Sequence, residues 1–191
     1  AQVCHRLDKE TSGALIIARN PEAYRHASLQ FQNRQVTKVY HAVCEGVHAF
    51  KEVDLDGAIR KLGNGKVCID HRQGKESLTH VSTIKAYRHY TLVECRPETG
   101  RMHQIRIHLS AAGAPIAGDE GYGGSPFYLS KIKRKYHLSK GEEERPLINR
   151  LALHAASITF QGLNDESIAV EAPYPKDFAV LLRQLEKNDF A

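Results

Sequence analysis

His5-Arg6-Leu7-Asp8-Lys9-Glu10-Thr11-Ser12-Gly13, running into Ala14-Leu15-Ile16-Ile17-Ala18, is the stretch whose reading decides this fold. An acid sits among basic residues, Thr-Ser-Gly supplies turn punctuation, and the apolar run that follows reads as a buried strand. Asp8 is therefore expected on a short loop braced by a rigid element. A neighbouring cation such as Arg6 favours the charged form of a carboxylate, and a positioned carboxylate serves as a nucleophile. The competing reading is a solvated turn in which Asp8 or Thr11 caps local backbone. This segment alone does not separate the two.

Outward from it, Asn20-Pro21 carries a helix start, with Asn as N-cap and Pro in the first turn. Tyr24, Ala27 and Phe31 recur at helical spacing and predict a helix over 21–34. Residues 36–44 alternate as a strand, with Val39, His41 and Val43 on one face and Lys38, Tyr40 and Ala42 on the other. Glycines 63, 65 and 74 punctuate short strands around 67–69 and 79–84, and 90–95 adds another. The spacing over 101–112 predicts a helix ended by Gly113 and Pro115. Met102, Ile105, Leu109 and Ala112 line one face of it; His103, Arg106 and Ser110 line a neighbouring face, so Arg106 looks into a cleft. Residues 126–149 read as an inserted, charged, partly helical excursion. Residues 151–160 resume as a strand, and Phe178, Leu181, Leu182 and Leu185 form a closing amphipathic helix. Strand-rich segments with few helices and no regular alternation indicate an α+β fold with a mostly antiparallel sheet.

The chain's 191 residues allow one well-buried core and argue against several large domains. Lys and Arg outnumber Asp and Glu by 27 to 22, an excess compatible with a nucleic-acid partner without requiring one. Cys4, Cys44, Cys68 and Cys95 form no Cys-x-x-Cys pair, which disfavours zinc ribbons and redox motifs. Reduced thiols and a cytoplasmic location are expected. No stretch approaches the ~20 apolar residues of a membrane span. The histidines form no convincing metal set: His103 and His108 diverge on a helix, and His154 reads as a satisfied core residue. The segment from Gly118 to Gly124 lacks the glycine order of a phosphate loop and reads as a structural turn. The basic residues from Lys131 to Lys135 grip RNA backbone or form a solvated face, with equal support.

Four further segments carry a resemblance: Lys38-Val39-Tyr40-His41-Ala42; residues 98–109, containing Gly100-Arg101-Met102-His103-Gln104-Ile105-Arg106; residues 113–123; and Arg150-Leu151-Ala152-Leu153-His154-Ala155. In this order, together with the first stretch, they resemble the RluA family of RNA pseudouridine synthases. The resemblance implies the pseudouridine synthase fold, a mixed, mostly antiparallel sheet flanked by helices with a central catalytic cleft. It implies a single catalytic domain over 1–191, with a strand-rich N-terminal portion expected ahead of the first residue. It also implies isomerisation of uridine to pseudouridine in structured RNA, ribosomal RNA ahead of transfer RNA, with no metal or organic cofactor. A monomer is expected.

On the same basis Asp8 matches the family's obligatory aspartate, leaving open whether it adds to the uracil ring or acts on the sugar. Arg106 matches the active-site arginine, whose guanidinium is expected to pair with Asp8. Tyr40 matches the tyrosine that packs against the target base. Arg6 corresponds to a residue that helps displace the nucleotide, because a stacked base is unreachable. Arg101, His103 and Gln104 are expected to bind phosphate or organise the cleft. Met102 and Ala114 depart from the residues common at their positions, which bears on local contacts. The rivals are a non-catalytic RNA-binding protein on the same fold and a metal-free ribonuclease using His103 and His154 as acid and base.

Overall fold

The computed structural model describes residues 1–189. Its elements, in chain order, are β1 (Gln2–Val3), β2 (Ser12–Gly13), β3 (Ile17–Ala18), α1 (Pro21–Gln32), β4 (Thr37–Glu45), β5 (Val53–Leu55), β6 (Ile59–Lys61), β7 (Val67–Ile69), β8 (Thr79–Ala86), β9 (Tyr90–Pro97), α2 (Gln104–Ala111), β10 (Leu153–Gln161), β11 (Ser167–Glu171) and α3 (Lys176–Lys187). The main sheet runs β11-β10-β4-β9-β8-β5, antiparallel throughout, with β2 added parallel to β10. Two small two-stranded sheets stand apart from it: the β1-β3 pair, with β2 between them in sequence, and the β6-β7 hairpin. The expected α+β class with a mostly antiparallel sheet is what forms.

The register explains how distant segments meet. Ala155 on β10 pairs with Tyr40 on one side and Gly13 on the other, while Tyr40 pairs with Cys95 on β9. Tyr40 is thus flanked by two small residues at the centre of the sheet. The turn bearing Asp8 is tied two strands away, about 10 Å across the sheet. A register shift between Ala155 and Ser157 frees β10 to exchange β2 for β11 along the same edge. Val43, Val93, Leu109, Phe127, Phe178 and Leu181 are fully buried in the core, which α2 and α3 help to close.

Three expectations need correction. The run 14–18 is not a buried strand: only Ile17–Ala18 is paired, with Val3 and Gln2, and Leu15 and Ile17 are exposed. That two-stranded pair turns an outer face to solvent, so the brace for Asp8 is β2 on β10 instead. The predicted helix over 101–112 begins at Gln104, because His103 takes a left-handed conformation (φ 53°) that cannot continue a helix backwards. Residues 126–149 carry one 3-10 turn, Leu129–Lys131, and no α-helix. They are held at the base by a bridge between the buried residues Phe127 and Ile148. Helix α1 starts as predicted, with the Asn20 side chain accepting the Ala23 N–H at 2.9 Å, and ends two residues short of 34. All four cysteines are free, and among the described residues no helix is long and apolar enough to cross a membrane.

Candidate active site

A cleft of about 660 Å³ opens between the Asp8 turn, the central strand β4 and the loop leading into α2. The turn is shaped locally by the Thr11 N–H donating to the Asp8 carbonyl at 2.9 Å. Gly13 follows with φ 121° against the backbone of Ala155, where a Cβ would collide with the Ala155 carbonyl, so only glycine lets β2 pair so closely. Arg150 reinforces the join. Its guanidinium donates to the Glu10 carbonyl at 3.0 Å and the Ser12 hydroxyl at 3.1 Å, and grips Asp177 on α3 with two hydrogen bonds. Ser12 donates in turn to His154 Nδ1 at 2.9 Å, while His154 Nε2–H donates to the Ala172 carbonyl at 2.9 Å.

Helix α2 is fixed by a buried polar network. The Gln104 amide nitrogen donates to the Leu78 carbonyl and the Thr79 hydroxyl, both at 2.9 Å, and its oxygen accepts from Thr99 at 2.6 Å. His108, only 2% exposed, contacts Thr79, Ser77 and the Gly57 carbonyl with its two ring nitrogens. Ile105 and Leu109 fill the core beside these groups. With those faces committed, Arg106 projects from the remaining one.

Arg106 meets two acids. Its Nε and Nη2 donate to Asp119 Oδ2 and Oδ1, both at 2.8 Å, and its Nη1 lies 3.5 Å from Asp8 Oδ2. The guanidinium also stacks on Tyr122 at 4.8 Å. Burial opposes its charge, but the Asp119 hydrogen bonds and both carboxylates outweigh that and hold the cation firmly. The expected pairing with Asp8 is therefore present as the looser of two contacts. Asp119, 3% exposed, is the tighter partner, although in the sequence it reads only as part of a structural turn. It is such a turn, with left-handed glycines at 118 and 123, and it also presents the carboxylate that aims Arg106.

The other expected residues fall as follows. Tyr40 lines the cleft, half-buried; burial and the nearby Asp8 charge push its phenol up to about 12, so it stays protonated. Arg6 is exposed at the cleft wall. Arg101 Nε donates to the Glu76 carbonyl at 3.0 Å. His103 Nδ1 lies 2.6 Å from the Tyr122 hydroxyl, which accepts the Val67 N–H at 3.0 Å and has its own proton free for the imidazole. Burial lowers the His103 pKa, outweighing the opposing Asp8 and Asp119 charges. Gln104 borders the cleft with its amide fully engaged inside the protein. Met102 joins a small apolar cluster of Ile59, Val67 and Tyr122, and Ala114 is fully buried in the main core. His154 is 1% exposed, bonded at both nitrogens and absent from the cleft lining, so it cannot form an acid–base pair with His103.

The cleft is cationic: Arg6, Arg34, Lys38, Lys61 and Arg101 line it against Asp8 and Glu98. Among the described residues no His, Cys, Asp and Glu group is placed to hold a metal.

The sequence matches the family described as RNA pseudouridylate synthase over residues 1–111. It is 36% identical over 188 residues to an uncharacterized RNA pseudouridine synthase, YlyB, of Bacillus subtilis, covering 97% of this chain and 56% of that relative. It is 34% identical over 197 residues to ribosomal large subunit pseudouridine synthase D of Haemophilus ducreyi, covering 100% of this chain and 57% of that one. Among solved structures, human RNA pseudouridylate synthase domain containing 1 superposes with a TM-score of 0.71 at 32% identity, over 91% of this chain and 69% of that chain. The chain thus spans just over half the length of these two curated relatives. It belongs to the RluA-type RNA pseudouridylate synthase family, and its sheet with flanking helices is the pseudouridine synthase fold.

Proposed function

We propose that this protein isomerises uridine to pseudouridine in structured RNA, ribosomal RNA ahead of transfer RNA, acting in the cytoplasm as a monomer without metal or organic cofactor. Residues 1–191 are its catalytic domain, with 126–149 as an insertion. The observation that carries the reading is the Asp8 carboxylate, 3.5 Å from a half-buried guanidinium, in a cation-lined cleft that also holds Tyr40. Ribosomal RNA is favoured because a relative that aligns with the whole of this chain, over 57% of its own length, is named for the large ribosomal subunit.

The reaction breaks the bond from ribose carbon 1 to uracil nitrogen 1, turns the base, and forms the bond to ring carbon 5, whose proton leaves. Asp8 starts it as nucleophile or base, on the ring or on the sugar. Arg106, anchored through Nε and Nη2, keeps Nη1 for Asp8 and offsets charge that develops there. The protonated phenol of Tyr40 offers a face for the extruded base, and Arg6 at the cleft wall helps keep the nucleotide out of its stack. Phosphate contacts from the cleft cations supply binding, and the flipped uridine supplies selectivity.

The test is incubation of the full-length protein with uridine-containing RNA tritiated at ring carbon 5. Tritium release from an intact strand is the expected result. Tight binding without release would instead establish a non-catalytic RNA-binding protein, and strand scission a nuclease.

A further inference from the structure

Among the described residues none of the cleft cations Arg6, Arg34, Lys38, Lys61 and Arg101 has a carboxylate within ion-pair distance, but Arg6, Arg34 and Lys61 are exposed whereas Lys38 is half-buried. It lies on β4 two residues before Tyr40 and shares its face, so the two side chains emerge roughly 7 Å apart along one strand. Its ammonium has one hydrogen-bond partner among the described residues, the Thr99 carbonyl at 3.4 Å, and no carboxylate within ion-pair distance. The acids that share the cleft are engaged elsewhere: Asp8 with Arg106, and Glu98 with His80 at 2.8 Å. The remaining charged or titratable neighbours are Cys4, His5 and Arg6 from the first segment, Arg34 after α1, Tyr40 on β4, Lys61 on β6, and Arg101 and His103 before α2. None of these is a carboxylate. Beside the ammonium is Gly100, where a Cβ would touch nothing but the Lys38 Nζ, at 3.8 Å, leaving that side of the cleft open to a ligand.

We infer that Lys38 receives a backbone phosphate of the RNA next to the uridine held at Tyr40, an inference that rests on the RNA-isomerase reading. A half-buried ammonium with only a carbonyl for company is costly, and the missing element is a full negative charge. A uracil carbonyl brings none; a phosphate does, and lysine meets it as a point charge. Burial has already lowered the Lys38 pKa from 10.5 to about 8. In the free protein the cation is therefore complete below that pH and fades above it.

The experiment compares the full-length protein with Lys38→Met and Lys38→Arg. It measures RNA stem–loop affinity by fluorescence anisotropy across salt concentration and pH, alongside thermal stability. The wild type should lose affinity as pH rises through about 8. Lys38→Met should bind roughly tenfold more weakly, and its salt slope should be shallower by about 0.7–0.9, the loss of one phosphate contact. It should also lose the pH dependence and melt at a higher temperature, because an uncompensated charge is gone. Lys38→Arg should keep the salt slope and lose the pH dependence. A Lys38→Met protein with an unaltered salt slope and pH profile overturns the inference, and so does one that melts lower and binds equally poorly at every salt concentration. Because binding is read apart from turnover, a wild type that releases no tritium yet shows this salt slope would end the isomerase reading and leave the phosphate contact standing.

Discussion

Asp119→Asn tests how the site is built. Asp119 holds the guanidinium of Arg106 with two hydrogen bonds at 2.8 Å, and Asp8 approaches the same group at 3.5 Å without one. At an effective dielectric of about 20, these separations correspond to Coulomb attractions of about 6 and 5 kcal/mol before desolvation. Charge alone hardly distinguishes the two acids; the forked hydrogen bonds decide which one orients the arginine. Removing one partner of a buried pair usually costs about 3–5 kcal/mol. Here asparagine can still accept one bond, and Asp8 and the Tyr122 ring still face the cation, so a loss of about 2 kcal/mol is expected. Freed on one edge, Arg106 should rotate onto Asp8 and tie up the carboxylate. Misplacement of that order lowers turnover about tenfold to hundredfold, through kcat more than KM. Urea denaturation and steady-state tritium release measure the two effects. A variant within about 0.5 kcal/mol of wild type and with unchanged kcat would refute the assignment of Asp119 as the residue that positions Arg106.

Two further outcomes follow from the geometry. Gly13→Ala must place a methyl group into the Ala155 backbone at a φ of 121°, so it should cost about 3 kcal/mol or more and depress turnover by moving the Asp8 turn; a melting curve and kcat that match wild type would contradict this. His5 accepts the Ile16 N–H at 3.0 Å through Nε2, and burial, helped by Lys38, lowers its pKa from 6.5 to about 4. Between those values the unfolded chain binds the extra proton and the folded one does not, so stability should fall as pH drops through that window and level off below it. The full shift corresponds to about 3 kcal/mol, reduced to about 1–2 kcal/mol by solvent access to the half-buried ring. Urea midpoints at both ends of the window should differ by less in His5→Gln than in wild type; equal differences would count against the tautomer assigned to His5.

What the sequence disclosed was mostly what repeats at short range. The alternation around Tyr40, the Asn20-Pro21 helix start and the apolar spacing of Phe178, Leu181, Leu182 and Leu185 are short-range signals: the strand and the first helix form close to their predicted bounds, and the four apolar residues fall on one closing helix. Asp8, Tyr40 and Arg106, the residues proposed for the chemistry, are legible through motif order; the sheet register relates the Asp8 turn to Tyr40, and α2 brings Arg106 to within 3.5 Å of Asp8. Partners set by tertiary contact were not visible. Asp119 sits in a glycine-dense turn whose conformational demands mask its second use. His108 looked like a stray helix histidine until Ser77, Thr79 and Gly57 closed around it. The apolar run 14–18 reads as a buried strand, yet only its last two residues pair, at the solvent-facing β1-β3 ladder, while Ser12 and Gly13 make the decisive pairing. Hydrophobicity identifies what prefers burial and does not specify which edge a two-residue strand will join. His103 is similar: its left-handed backbone follows from the loop it closes, which no helical spacing reveals.

The central claim is that the Asp8 carboxylate starts the chemistry, and the most direct measurement is tritium release by Asp8→Asn beside wild type, with RNA affinity measured in parallel. The side chain is nearly isosteric, so binding and melting should change little while release disappears. Release at the wild-type rate from the Asp8→Asn protein would contradict the account.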